Sequence, residues 1–531
     1  MPSAINKNYP SIFNDVIGPV MRGPSASHCA AAVRIGRIAR NLMDSKLKEV
    51  LVEFDSLGSL ATTYNTQGTD IGLCAGLLGW EATDKRLPES KEAIFKNGIK
   101  INFKIHDIGS KHPNTYKITL RSVDEEHVMI ALSVGGGMIK IEEIDGIKII
   151  IEGDYYETLI LVDKSIENIY EYLSSRFIAD QVLRLGKNDK HIIEIKAQAF
   201  LPDDLINELQ SKFNIKYVKK ISPVLPVLSC KDAKVPFITC EEMLKYNEDK
   251  ELTLWELAVQ YECARGKLTA DEVIRKMNDI IKIIKSSVEE GLKGTEYQDR
   301  ILGYQSGEFR KRMKSGQLIG DDLLNIIILY VTALMEMKSS MGIIVAAPTA
   351  GTCGGLPGTC LGVGHVLKLS VDELSKAMLA AGMIGVFIAA HSTFAAEVCG
   401  CQAECGAGSG MTAAALVTLK NGTLRQSVAA TSMALQNTLG MICDPVANRV
   451  EIPCLGKNVL AASNALACAN MALANFDPVI PLDEVIETMD KVGKSIPFEL
   501  RCTALGGLSV TKTSKQIEKQ LNKNLEYKGL K

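Results

Sequence analysis

Residues 377–396 read AMLAAGMIGVFIAAHSTFAA, twenty positions without a formal charge. A run of that length is long enough to span a hydrocarbon core. Its composition argues otherwise: it is mostly Ala and Gly and carries His391, Ser392 and Thr393, which suits a buried helix of a large soluble domain better than a bilayer span. The surroundings agree. Beyond about residue 234 the chain is helical in pattern, rich in Ala, Gly, Met and Cys, and poor in β-branched alternation. Helix faces with so little bulk suit close helix–helix approach around a buried centre.

Toward the N-terminus the pattern changes twice. Residues 223–234 carry prolines and read as a linker. Before them, 153–222 alternates a strand (YYETLILVD), an amphipathic helix (SIENIYEYLSSRF), a second strand (DKHIIEIKAQAF) and a second helix (LPDDLINELQSKF), the pattern of a small strand–helix–strand module. Residues 1–152 mix helical stretches with β-branched runs such as Ile118–Leu120 and Ile147–Ile151, punctuated by glycines. At 531 residues the chain is too long for one core. The expected class is multidomain α+β: an N-terminal α+β domain (1–152), a small module (153–222), the linker, and a large, mainly α-helical C-terminal domain (235–531).

Lysine and arginine total 60 against 62 acidic residues, a net charge of −2. No excess field draws phosphate groups or an anionic surface, so neither nucleic acid nor a membrane is expected as a partner. The opening MPSAINKNYP lacks the basic flank and apolar stretch of a secretory signal. The 14 cysteines are therefore expected in a reducing cytoplasm, as thiols or metal ligands before disulfides.

Three of those cysteines crowd into CGCQAEC as Cys399, Cys401 and Cys405, while Cys443 lies in MICDPV and Cys454 in EIPCLGKN. No C-x-x-C pair exists, so the usual zinc and ferredoxin spacings are missing; spacing alone leaves a metal site and buried structural thiols both open. The glycine-rich stretches SLGSL (56–60), VGGGM (134–138) and GTCGGLPG (351–358) lack the phosphate-loop forms and read as turns and close packing. Polar residues stand out in GPSASHCA (23–30), HPNT (112–115), APTAG (347–351) and AHSTF (390–394). His28 is notable among them, because Ser25 and Ser27 lie beside it on a loop that Gly23-Pro24 announces. The plainer reading makes a serine the helix cap and His28 a surface residue.

Taken together the motifs resemble the iron–sulfur-dependent L-serine dehydratases over nearly the whole chain. GPSASHCAAAVRIG, DSLGSLATT, GTDIGLCAGLLGW, HPNT and SVGGGMIKIEEIDG look like that family's β domain. SSMGIIVAAPTAGTCGGLPG, CQAECGAGSGMTAAAL, LGMICDPVANRVEIPC and LRCTALGG look like its α domain. The resemblance implies a [4Fe-4S] cluster held by Cys401, Cys443 and Cys454, with Cys399 and Cys405 as neighbours, and an ACT-like middle module. Departures fall inside motifs. The family's SSSHT reads Ser25-Ala26-Ser27-His28-Cys29 here, its Asn-Arg pair is replaced around Ala390-His391, its RET reads Arg501-Cys502-Thr503, and the module's Pro-Gly turn reads Asp163-Lys164-Ser165-Ile166.

Such an enzyme removes a weakly acidic Cα proton and expels hydroxide, which requires a base and an electrophile. Four irons held by three thiolates leave one open for the substrate hydroxyl. His28 is the first candidate for the base and His391 the second; Ser25, Ser27, Asn114 and Thr349 are expected to bind the ammonium and carboxylate of a small amino-acid substrate. A homodimer is expected. Competing readings are the same scaffold acting on threonine, cysteine or a β-hydroxy acid, a pyridoxal-phosphate dehydratase, for which no convincing Schiff-base lysine stands out, and a non-enzymatic amino-acid sensor or metal store.

Overall fold

A computed structural model describes residues 9–23, 25–65, 67–162, 166–187, 190–297, 300–320 and 322–527, without the side chains of 524–527. The chain divides into two compact units, one formed within Met1–Pro24 and Lys234–Lys531, the other within Ser25–Ala233.

The first unit is helical. Its long apolar helix, Val371–His391, meets the length and hydropathy of a membrane span, yet 78% of that stretch is covered by protein. Helices Leu254–Gly266, Ala270–Lys293 and Ala407–Leu419 pack around it. Ala407–Leu419 (AGSGMTAAALVTL) is buried at every position but Thr418 and packs against Leu424–Gln436 and Cys454–Leu473 as well. Small side chains make this density possible: a Cβ at Gly358 would lie 2.8 Å from the Val331 backbone nitrogen.

Residues 9–23 belong to this unit too, and not to the α+β part in which the sequence reading put them. Ile12, Phe13, Val16 and Ile17 are buried there. Ser11 Oγ donates to Glu262 Oε1 at 2.5 Å and the Ile12 N–H to Glu262 Oε2 at 2.8 Å. Strand Val20–Arg22 then pairs antiparallel with Ile343–Val345. Nothing local in the sequence marks this pairing, whose partners lie more than 300 residues apart.

The second unit holds two sheets. Six strands run in the order Lys100–His106, Glu49–Asp55, Thr115–Arg121, Glu126–Gly135, Met138–Ile144, Ile147–Ile151. Only the first pair is parallel. Helices Ala26–Asn41 and Thr69–Leu77 pack closely on each other, since a Cβ at Gly76 would sit 2.2 Å from the Val33 carbonyl oxygen.

The middle module is a β-α-β-β-α-β fold with strand order Ile215–Ile221, Tyr156–Val162, Lys190–Ala197, Gln181–Lys187. The sequence reading found its two central strands and both helices and passed over the edge strands. QVLRLGK and IKYVKKI are charged and half-exposed, as edge strands are, and show no continuous apolar run. The module also shares a core with the six-stranded sheet through Leu159, Leu161, Ile192 and Ile221. The expected linker is tied down: the N–H groups of Val224 and Leu225 donate to the Gly153 carbonyl, and Ser229 N–H to that of Asp154. Asp163, Lys164 and Ser165, where the module's turn departs from the ACT pattern, lie outside the described residues.

Candidate metal centre

In the helical unit the short helix Ala396–Cys399 ends at Gly400, whose φ is +68°. A Cβ there would be strained and would lie 2.7 Å from the Met441 carbonyl oxygen. The chain turns at this glycine and presents Cys401 at the start of a single π-turn, Gln402–Gly406. Gln402 is fully buried and fixes the turn in place. Its side-chain amide donates to Met489 O at 2.6 Å, its Oε1 accepts from Gly440 N–H at 2.8 Å, and its own N–H donates to Met441 O at 3.1 Å. The segment leading into Cys443 is thereby strapped to Cys401.

Cys443 is held from the other side by 500–502. Its N–H donates to Leu500 O and its carbonyl accepts from Cys502 N–H, both at 2.8 Å. Cys454 opens helix Cys454–Leu473. One turn later the buried Asn458 donates to Cys454 O at 2.8 Å and Gly351 O at 2.9 Å and accepts from Gly355 N–H at 2.8 Å. The 349–355 loop is thus docked on the same helix, and Thr349 Oγ1 donates to Glu404 Oε1 at 2.6 Å.

Cys401 Sγ, Cys443 Sγ and a Glu404 carboxylate oxygen lie within 4.8 Å of one another. Cys454 is buried and feels the charge of Cys401, outside that tight trio. Hydrogen bonds from Cys405 and Cys443, with Lys457 alongside, hold the Cys401 thiol well below the usual range, while the same bonding and one from Cys502 push Cys443 up. Burial, then the neighbouring Cys401, pushes Glu404 up to about 8. Two cations, the half-buried Lys457 and the buried Lys338, offset the charge. Lys457 Nζ donates to Ile442 O at 2.6 Å and Asp444 Oδ1 at 3.0 Å, and Lys338 donates to the Val450 carbonyl with its charge facing Cys454 and Glu404. Converging soft thiols, compensated by fixed positive charge, form a donor set that fits a thiolate-bound metal centre.

The model of the serine dehydratase alpha chain family matches residues 249–509. A probable L-serine dehydratase alpha chain of Bacillus subtilis is 34% identical over 285 residues, covering 54% of this chain and 95% of that protein. The chain belongs to the L-serine dehydratase family. The corresponding Bacillus subtilis beta chain is 34% identical over 220 residues, covering 40% of this chain and 99% of its own length. The L-serine dehydratase of Haemophilus influenzae is 23% identical over 512 residues, 92% of this chain and 96% of that one. The family's members are lyases.

Within this dehydratase scaffold the expected residues are placed unevenly. Cys401, Cys443 and Thr349 come together, with Cys454 beside them. The Cys399 thiol turns away to the Asp490 carbonyl oxygen, 3.9 Å distant. Cys405, expected as a bystander, hydrogen-bonds with Cys401. His391 is exposed at the end of its helix with Nδ1 against its own Phe387 carbonyl, 3.0 Å away. In the second unit Ser25 occupies the N-cap position of helix Ala26–Asn41, but its hydroxyl bonds His28 Nδ1 at 2.7 Å instead of capping the helix. Ser27 and His28 are half-buried, and burial pushes His28 down. Asn114 Oδ1 is buried and has no hydrogen-bond partner among the described residues. Gln402, Glu404, Lys338, Lys457 and Asn458 were not singled out from the sequence, and Cys502 entered there only as a departure from the family's RET. The CQ-x-E and EIPCLGKN motifs already contained four of them.

Proposed function

We propose that this chain dehydrates L-serine, the aminoacrylate product hydrolysing to pyruvate and ammonia, with a [4Fe-4S] cluster held by Cys401, Cys443 and Cys454. The convergence of Cys401 and Cys443 with Glu404 within 4.8 Å, in a buried pocket of charge held by two lysines, carries the reading. When bound, such a cluster supplies an electrophile for the departing hydroxyl. The protein's own part is positional and electrostatic. Lys457 and Lys338 stabilise thiolates that burial would otherwise protonate. Thr349 fixes the Glu404 carboxyl through its 2.6 Å hydrogen bond. On the α+β unit the Ser25 hydroxyl engages His28 Nδ1 and leaves Nε2 as the atom to accept the Cα proton. The unpartnered Asn114 Oδ1 suits a substrate ammonium. The proposed setting is cytoplasmic, with a small amino acid as substrate and a homodimer as the assembly.

Anaerobic purification, iron and sulfide analysis, and a pyruvate assay over L-serine, L-threonine and L-cysteine test this. The expected outcome is a broad brown absorbance with L-serine as the best substrate. A narrow yellow aldimine band, or turnover independent of iron, would overturn it.

A further inference from the structure

Strand Ile343–Val345 is three residues long, and among the described residues its one strand partner is Val20–Arg22. The pairing extends past the strands. Gly18 N–H donates to Ala346 O at 2.9 Å and Ala346 N–H to Pro19 O at 3.2 Å, while the buried Arg22 donates through Nη1 to Met341 O at 3.0 Å. Gly23 then closes on the end of helix Asp322–Ser339, where a Cβ would overlap the Lys338 carbonyl oxygen. A strand pair this short is marginal by itself. It is anchored upstream, where Ile12 and Val16 fill the space left by Gly382 and Gly385 of the long apolar helix.

The segment so held, 338–349, carries one group of the metal centre at each end. At its start the Lys338 ammonium donates to Val450 O with its charge facing Cys454 and Glu404; at its end Thr349 Oγ1 donates to Glu404 Oε1 at 2.6 Å. We propose that residues 18–23 are a positioning element for the metal centre: by splinting 338–349 they fix where the Lys338 ammonium and the Thr349 hydroxyl stand, and Gly23 acts through Lys338. The inference rests on the cluster reading above. It makes retention of the metal depend on a segment remote in sequence from every cysteine that would hold it.

Two measurements on the full chain test this, both under anaerobic conditions. The first is hydrogen–deuterium exchange with mass spectrometry on the wild type, with and without its iron and sulfide. Coupling between two regions is reciprocal, so loading the centre should slow exchange in peptides covering 18–23 and 343–346 by at least about tenfold, alongside those covering 401–406. The second is the rate of iron release to a chelator. Gly23→Ala should release iron at least about tenfold faster than the wild type and show an altered cluster absorbance at matched iron content; Lys338→Met should do the same, and the double variant should fall well short of the product of the two effects, because both act through one ammonium. Wild-type release from Gly23→Ala, or fully multiplicative effects in the double variant, overturns the proposal. So does a loaded chain in which 401–406 is protected and 18–23 is not, a result that leaves the cluster reading intact. The exchange measurement needs no variant and decides even where Gly23→Ala does not fold. A wild-type chain that takes up no iron and sulfide overturns both readings.

Discussion

Gln402 Oε1 accepts a 2.8 Å hydrogen bond from the backbone N–H of Gly440, across 38 residues of chain, while the same side chain donates to Met489 O at 2.6 Å. The residue after one candidate ligand therefore sets the position of the segment that carries the next. Replacing Gln402 by Leu keeps the volume and removes the hydrogen bonds that this side chain makes to the Met489 carbonyl and the Gly440 N–H. The expected cost is about 2–4 kcal/mol of stability, with reduced iron retention, read by thermal unfolding and metal analysis. A variant as stable and as iron-rich as the parent would show that the clasp is dispensable.

Gly400→Ala tests the turn itself. The φ of +68° and the 2.7 Å approach to Met441 O both oppose a Cβ. A loss of about 1–3 kcal/mol is expected, together with incomplete metal loading, because Cys401 follows directly. Normal loading at normal stability would mean that the backbone relaxes without moving the thiol.

Serine substitution at Cys401, Cys443 or Cys454 should each abolish iron binding and turnover, since metal affinity requires the thiolates. Cys399→Ser should change neither, given that its thiol faces Asp490. Retention of a full cluster in Cys401→Ser with loss in Cys399→Ser would invert the ligand assignment.

His28→Ala is expected to leave folding and iron content unchanged and to lower kcat by on the order of a hundredfold. Ser25→Ala should give a smaller loss, because it removes only the 2.7 Å bond that orients the ring. Steady-state kinetics on metal-matched samples decides; near-normal turnover in His28→Ala would leave the loop a structural element.

A fifth expectation concerns the seam between module and six-stranded sheet. Lys219, 1% exposed, donates to Glu125 Oε2 at 2.7 Å and to Asp44 Oδ2 at 2.6 Å. Burial raises Glu125, but the Lys219 bond and two from Ser45 outweigh it and bring the carboxyl down to about 2, from an ordinary 4.5. Because the folded value is depressed, this stabilisation is complete above about pH 4.5 and fades as pH falls toward 2. Lys219→Met should destabilise the protein by about 2–3 kcal/mol at neutral pH and flatten the acid limb of its stability curve. Denaturant titrations at several pH values measure both; an unchanged acid limb would remove Glu125 from the account.

Much of this was legible in the sequence. Local composition determined that 377–391 lies in a helix of a packed helical domain, because Ala and Gly faces with embedded polar residues suit protein neighbours better than lipid; it did not show that the helix ends at His391, leaving 392–395 outside it. The module's central strands and helices announced themselves by periodicity, and its edge strands did not, because a strand with one solvent-facing side carries charges where a central strand carries Val and Ile. The cysteine motifs marked Cys401, Cys443 and Cys454 only through family resemblance; spacing alone left both metal ligands and structural thiols open and favoured the thiols.

Tertiary structure alone decided the rest. Residues 9–23 join the helical unit because Glu262 and the Ile343–Val345 edge, hundreds of residues away, satisfy their backbone groups. Lys338 meets the Glu404 and Cys454 environment, and Cys502 meets Cys443, through segments whose separation in sequence carries no periodic trace. Periodicity records whether a residue is buried, since that depends on its own element. Which charge lies beside which thiol depends on how separate elements pack, and a buried ion's free energy is set by those neighbours.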